Sequence, residues 1–121
     1  MQSLVLQGEE MEKKVVLLIS SPPFVTLNNY EALRASISLI DHRVAIIWKD
    51  EGVHFTLKSV NKATTKNLLR LAEDLEIDLY VSKGDLMKRS LDHLELEGMI
   101  KKIDQECLLN TLRDADVVLT F

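Results

Sequence analysis

The chain has 121 residues, the size of one domain, because two separate cores would each bury too little surface to be comfortable. Its 46% apolar and 28% charged residues exclude a disordered chain, and a net charge of −4 gives no electrostatic footprint for nucleic acid. The apolar runs fall far short of the ~20 residues that span a bilayer, and a single cysteine, Cys107, excludes an internal disulfide and a cysteine-rich zinc site.

Residues 1–10 show no clear periodicity and read as an N-terminal tail or upstream start, with the domain running over residues 11–121. Nothing at the N-terminus has the basic-then-apolar order of a secretory signal, and a reducing cytoplasm is the expected location. The basic pair Lys13 and Lys14 reads as a solvated strand end, as does the pair Lys101 and Lys102. Residues 15–19 form a short unbroken apolar run, the pattern of a strand buried on both faces in a parallel sheet.

After the prolines Pro22 and Pro23, Asn29 is placed to cap a helix whose stripe is Tyr30, Leu33, Ile37 and Ile40, ending near Asp41 and His42. Residues 44–48 read as a second buried strand, residues 49–52 as a turn, and residues 53–57 as a more polar extended piece. Leu68, Leu69, Leu71, Ala72 and Leu75 predict a second helix, and residues 77–81 a third strand. Ser82 starts a further helix with Leu86, Met87, Ser90, Leu91 and Leu94 on its face. Gly98 then ends that region before a short extended piece over residues 99–103. A last helix carries Leu108, Leu109 and Leu112, and residues 117–119 close the chain as a strand.

Strands alternating with helices imply right-handed crossovers and a sheet covered on both sides. The predicted fold is α/β: a doubly wound, mostly parallel five-stranded sheet with helices on both faces, a flavodoxin-like or related three-layer sandwich. Ligands in such folds bind beyond the carboxyl ends of the strands.

The loop after the first strand, residues 20–29, has no glycine and two prolines that remove amide donors, which argues against phosphate binding. Its Phe24, Val25 and Leu27 suit contact with another subunit, or else fold back on the domain. Ser82 and Asp85 match a capping box, with the hydroxyl accepting from the third helical amide and the carboxylate answering the Ser82 amide. A nucleophilic serine would need a base, and no histidine lies in residues 77–91.

Cys107 lies away from the centre of the Leu108, Leu109, Leu112 stripe, so it is expected to be partly exposed. Asp104 and Glu106 oppose formation of its thiolate while the helix start favours it. His42, His54 and His93 have no spacing that brings two onto one metal, and Asp50 with Glu51 reads as solvated turn residues. No metal and no cofactor are expected.

From Lys13 to Phe121 the order of features resembles the DsrE/DsrF/DsrH group of sulfur-relay proteins, in particular its DsrF/TusC branch. The likeness rests on Pro23-Phe24-Val25-Thr26 after the first strand and on Tyr30-Glu31-Ala32-Leu33 in the first helix. It extends through Trp48-Lys49-Asp50-Glu51-Gly52-Val53 and Tyr80-Val81-Ser82-Lys83-Gly84-Asp85, and ends with Asp114-Ala115-Asp116-Val117-Val118-Leu119-Thr120-Phe121. The resemblance implies the α/β sandwich already read and a hetero-hexamer with DsrE/TusD-like and DsrH/TusB-like subunits, or otherwise a homo-oligomer. Such assemblies pass persulfide sulfur along in sulfur oxidation or tRNA 2-thiouridine synthesis.

In the DsrE/TusD branch the transfer cysteine stands where this chain has Ser82, which cannot carry a persulfide. That departure implies a non-catalytic subunit, as DsrF/TusC members generally lack an essential cysteine. Val25 is a second departure, at a loop position often held by glycine. The readings set against it are a self-sufficient sulfur carrier using Cys107 and a homo-oligomeric small-molecule binding protein.

Overall fold

The computed structural model describes residues 12–24 and 26–121, so the tail expected over residues 1–10 and the loop residue Val25 lie outside the described residues. Five strands form one all-parallel sheet: β1 (Lys14–Ile19), β2 (Arg43–Trp48), β3 (Asp78–Ser82), β4 (Lys101–Ile103) and β5 (Val117–Thr120), in the order β4-β3-β2-β1-β5. The helices are α1 (Asn28–Ser38), α2 (Lys66–Asp74), α3 (Lys83–Lys88) and α4 (Gln105–Asp114). The sheet grows outward from β1 through β2 and β3 to β4. The chain then crosses back through α4 to place β5 on the other side of β1, and this one reversal puts α4 on the opposite face.

The alternation of side chains along β1 shows the two layers. Val15, Leu17 and Ile19 join the large cluster under α1, α2 and α3, with Leu33, Trp48, Phe55, Leu69 and Leu86 among its members. Val16 faces the other way, into a much smaller cluster with Ile47, Ile103 and Leu108 of α4. The unbroken apolar runs of β1 and β2 thus mark strands covered on both sides. β5 differs, since all four of its residues are exposed.

Two local readings are corrected by the structure. Residues 53–57 are not extended: Asp50–Thr56 forms a 3-10 helix, and only Leu57 makes a β-bridge, to Leu96. This segment folds tightly against the end of β1, where the Ile19 carbonyl accepts the Lys49 amide at 2.9 Å. A Cβ on Gly52 would lie 2.4 Å from that same carbonyl oxygen, so the approach needs glycine. The helix begun at Ser82 is also short, ending at Lys88, and Ser90 adopts a left-handed φ of 56° that turns the chain away. Met87 and Leu94 are therefore exposed rather than part of one long face.

In α1 the buried positions are Asn29, Ala32, Leu33 and Ser36, so the inward stripe runs one residue out of step with the apolar one, and Ile40 is exposed. The two polar members are tolerated because each is bonded: the Ser36 hydroxyl donates to the Leu33 carbonyl at 2.7 Å, and Asn29 accepts from Trp48. Asn29 is thus inside the helix and does not cap it. Leu27 occupies the cap position without a side-chain bond. In α2 the buried residues are Leu69 and Ala72, with Leu71 and Leu75 exposed.

Gly52→Ala should lower the free energy of unfolding by about 2 kcal/mol through overpacking against the β1 terminus, measured by urea unfolding followed by far-ultraviolet circular dichroism. Gly84→Ala, inside α3 where a Cβ meets nothing within 4 Å, should instead raise the free energy of unfolding by about 0.5–1 kcal/mol in the same assay.

Candidate functional site

The carboxyl ends of β1, β2 and β3 come together at one end of the sheet. β3 stops at Ser82, whose side chain is buried and whose hydroxyl accepts the Asp85 amide at 3.2 Å. The serine is thus the cap of α3, as its spacing predicts. The second half of the capping box takes another course: one Asp85 carboxylate oxygen accepts the backbone amide of Asp50 at 3.0 Å, tying α3 to the 3-10 helix. Asp50 has a left-handed φ of 48°, a conformation Asp tolerates better than most residues.

Around this junction Arg89 bonds the Asp85 carbonyl at 3.1 Å and lies 3.7 Å from its carboxylate, while its other nitrogens hold Glu51 at 2.8 and 3.0 Å. Glu51 also approaches the His54 ring at 3.3 Å. Glu51 titrates below the usual glutamate value, chiefly because Arg89 hydrogen-bonds its ionised form. Burial works against the Asp85 carboxylate, yet the Asp50 amide, Ser82 and Arg89 together outweigh it and hold its pKa below the ordinary value. Asp50 and Glu51 are therefore structural linkers rather than merely solvated turn residues. Arg89, far from both in sequence, is the partner that sequence spacing did not single out.

None of these contacts activates Ser82. Of the three histidines, His54 bonds Glu51, and His42 accepts the Lys13 amide at the far end of the sheet. His93 is exposed. Among the described residues no group of three His, Cys, Asp or Glu side chains converges as metal ligands.

Cys107 is exposed in the first turn of α4. Its amide donates to the Asp104 carboxylate at 2.8 Å, so the cap has already taken one of the helix-start amides that could favour a thiolate. Asp104, Glu106 and Asp114 line the same shallow depression as the cysteine.

Phe24 and Leu27 stand out in solvent, 71% and 67% exposed, so the loop does not fold back on the domain at these two positions. They form one wall of a cleft of about 290 Å³ whose other wall is the segment before α2, residues 61–65. Among the described residues no helix is long and apolar enough to cross a membrane.

An all-parallel, singly reversed α/β sandwich with the end of β3 sealed by a capping serine and an ion-pair network defines a class of scaffold, and the sequence specifies which. Residues 13–121 match the DsrE/DsrF-like family, and the chain belongs to that family. A similar solved fold is that of the ychN protein from E. coli, with a TM-score of 0.78 and 19% identity over 92% of this chain and all of that one. No curated protein matches the sequence.

The Asp85 junction yields a pH prediction. Its carboxylate has a lowered folded pKa, so the stability it contributes is full above the unfolded-state value of about 3.9 and is lost as pH falls through the folded value. Asp85→Asn should be less stable than wild type by about 2 kcal/mol at pH 7. The gap should shrink below pH 4 in urea titrations repeated across pH.

Proposed function

We propose that the protein is a non-catalytic subunit of a cytoplasmic sulfur-relay assembly, of the DsrF/TusC type, which holds a cysteine-bearing DsrE/TusD-like partner and a DsrH/TusB-like partner in a hetero-hexamer. The partner's chemistry is a thiol exchange: an acceptor thiolate attacks the outer sulfur of a cysteine persulfide, the S–S bond breaks, and the donor leaves as a thiolate. No net oxidation is needed.

The observation that carries this reading is Ser82. The position that bears the transfer cysteine in DsrE-like relatives here holds a hydroxyl that is 4% exposed and used as a helix cap. A side chain so placed neither carries sulfur nor meets an incoming persulfide. Support for a partner-holding role comes from the apolar surface left uncovered, with Phe24 and Leu27 on the first loop and Val117, Val118 and Leu119 on the sheet edge.

Co-expression with the DsrE-like and DsrH-like proteins encoded beside it should yield one complex by size exclusion coupled to light scattering, with a mass that includes all three chains. Isolation of this chain always apart from those proteins would overturn the proposal.

The exposure of Cys107 favours a second reading, in which this chain carries sulfur itself. Against it, Asp104, Glu106 and Asp114 line the same depression and would repel an incoming anionic persulfide. Incubation with a persulfide donor should leave the intact mass of wild type and Cys107→Ala unmodified by sulfur. A gain of one sulfur on wild type alone would establish the carrier instead.

A further inference from the structure

We propose that the cleft between the first loop and the segment before α2 is a binding site for a small, uncharged aromatic molecule bearing a hydrogen-bonding group. The proposal is independent of the sulfur-relay reading.

The cleft lies at the carboxyl end of the sheet, beside Trp48 and Phe55, whose rings stack at 5.3 Å and 11°. Phe24 and Tyr30 give it aromatic surface over the edge of Phe55, which is itself held between Trp48 and the Lys62 ammonium, and Pro23 and Leu27 add apolar surface. At about 290 Å³ it is close to the lower end of the size range of ligand pockets, which suits a single ring rather than a nucleotide.

The ligand's charge follows from the polar members of the lining. Lys62 is the sole ionic residue among them, and its ammonium group is spent: it pairs with Glu97 at 2.9 Å and donates to the carbonyls of Leu57 at 2.6 Å and Val60 at 3.2 Å. A carboxylate or phosphate would therefore meet no free cation among the lining residues, the Arg34 guanidinium lying over the Tyr30 ring outside it. Asn29 is also committed, accepting from the Trp48 indole at 2.7 Å and donating to the Ser21 carbonyl at 3.5 Å.

Among the buried polar residues of the lining Thr65 is the exception. It is 7% exposed, it lines the cleft, and its hydroxyl does not cap α2 or bond any other described residue. A buried hydroxyl with no partner among the described residues is costly to leave unmet, so of the buried polar groups in the lining it is the one left to read a polar atom on a bound ring.

The test uses p-cresol, toluene and p-toluate as probes, titrated into the full chain labelled with nitrogen-15 and followed by amide shifts. p-Cresol should shift Tyr30, Phe55 and residues 63–65, and should bind roughly three- to tenfold more tightly than toluene. The anionic p-toluate should bind more weakly than either.

Thr65→Val, with its amide spectrum first shown to retain the fold, should abolish the preference for p-cresol over toluene, and Thr65→Ser should keep it. Shifts scattered over the surface or centred away from the cleft would overturn the proposal. So would equal affinity of wild type for p-cresol and toluene, tighter binding of p-toluate, or a preference that persists in Thr65→Val.

Discussion

The carboxyl end of this sheet depends on one buried hydrogen bond, from the Trp48 indole to Asn29 at 2.7 Å. Trp48 ends β2 and is fully buried, and an indole N–H removed from water must find an acceptor or cost about 1–3 kcal/mol. The acceptor comes from α1, nineteen residues earlier, and its position inside the helix turns α1 so that Asn29, Ala32, Leu33 and Ser36 face the sheet. The same indole stacks on Phe55, which fixes the 3-10 helix, and Gly52 lets that helix press against the end of β1. One aromatic residue therefore sets the rotation of a helix and the seat of the segment beside Ser82.

That seat decides the chemistry. With the 3-10 helix in place, the Asp50 amide reaches the Asp85 carboxylate, and Arg89 bridges Asp85 to Glu51. The end of β3, one of the places where open α/β sheets present their ligands, is closed here by ion pairs and a cap. This point of the fold is a firm junction. Ser82 is buried and spent as a cap, and a group that reacts must be reached whereas a cap need not be.

The parts legible in the sequence were those set by local pattern. Residues 15–19 and 44–48 announced themselves as strands covered on both sides, and Ser82 as a cap by its spacing to Asp85. What was hidden depended on partners distant in the chain. Asn29 and Ser36 count as polar in any periodicity, so the buried stripe of α1 was assigned to Tyr30, Ile37 and Ile40, with only Leu33 in common. Val53 and Phe55 resemble strand residues, and only the close contact of Gly52 with Ile19 reveals the tighter helix. Arg89 and Thr65 gave no signal, since the importance of each lies in a neighbour brought by the fold or in the lack of one.

The two faces of the sheet are unequally served. Three helices and the 3-10 segment cover one face, while among the described residues α4 alone covers the other, where Leu18, Ala45 and Tyr80 are only half-buried. β5, laid down by the single reversal, pairs with β1 on one side and leaves Val117, Val118 and Leu119 exposed. It is a four-residue edge with no proline or lysine within it, the residues that commonly protect such edges from pairing. A parallel strand this apolar is ordinarily covered. The topology that completes the sheet thus also creates its least protected surface, opposite in the strand order to the edge formed by β4 with Lys101 and Lys102. An interface at β5 would bury apolar surface, whereas one at β4 would have to desolvate two lysines.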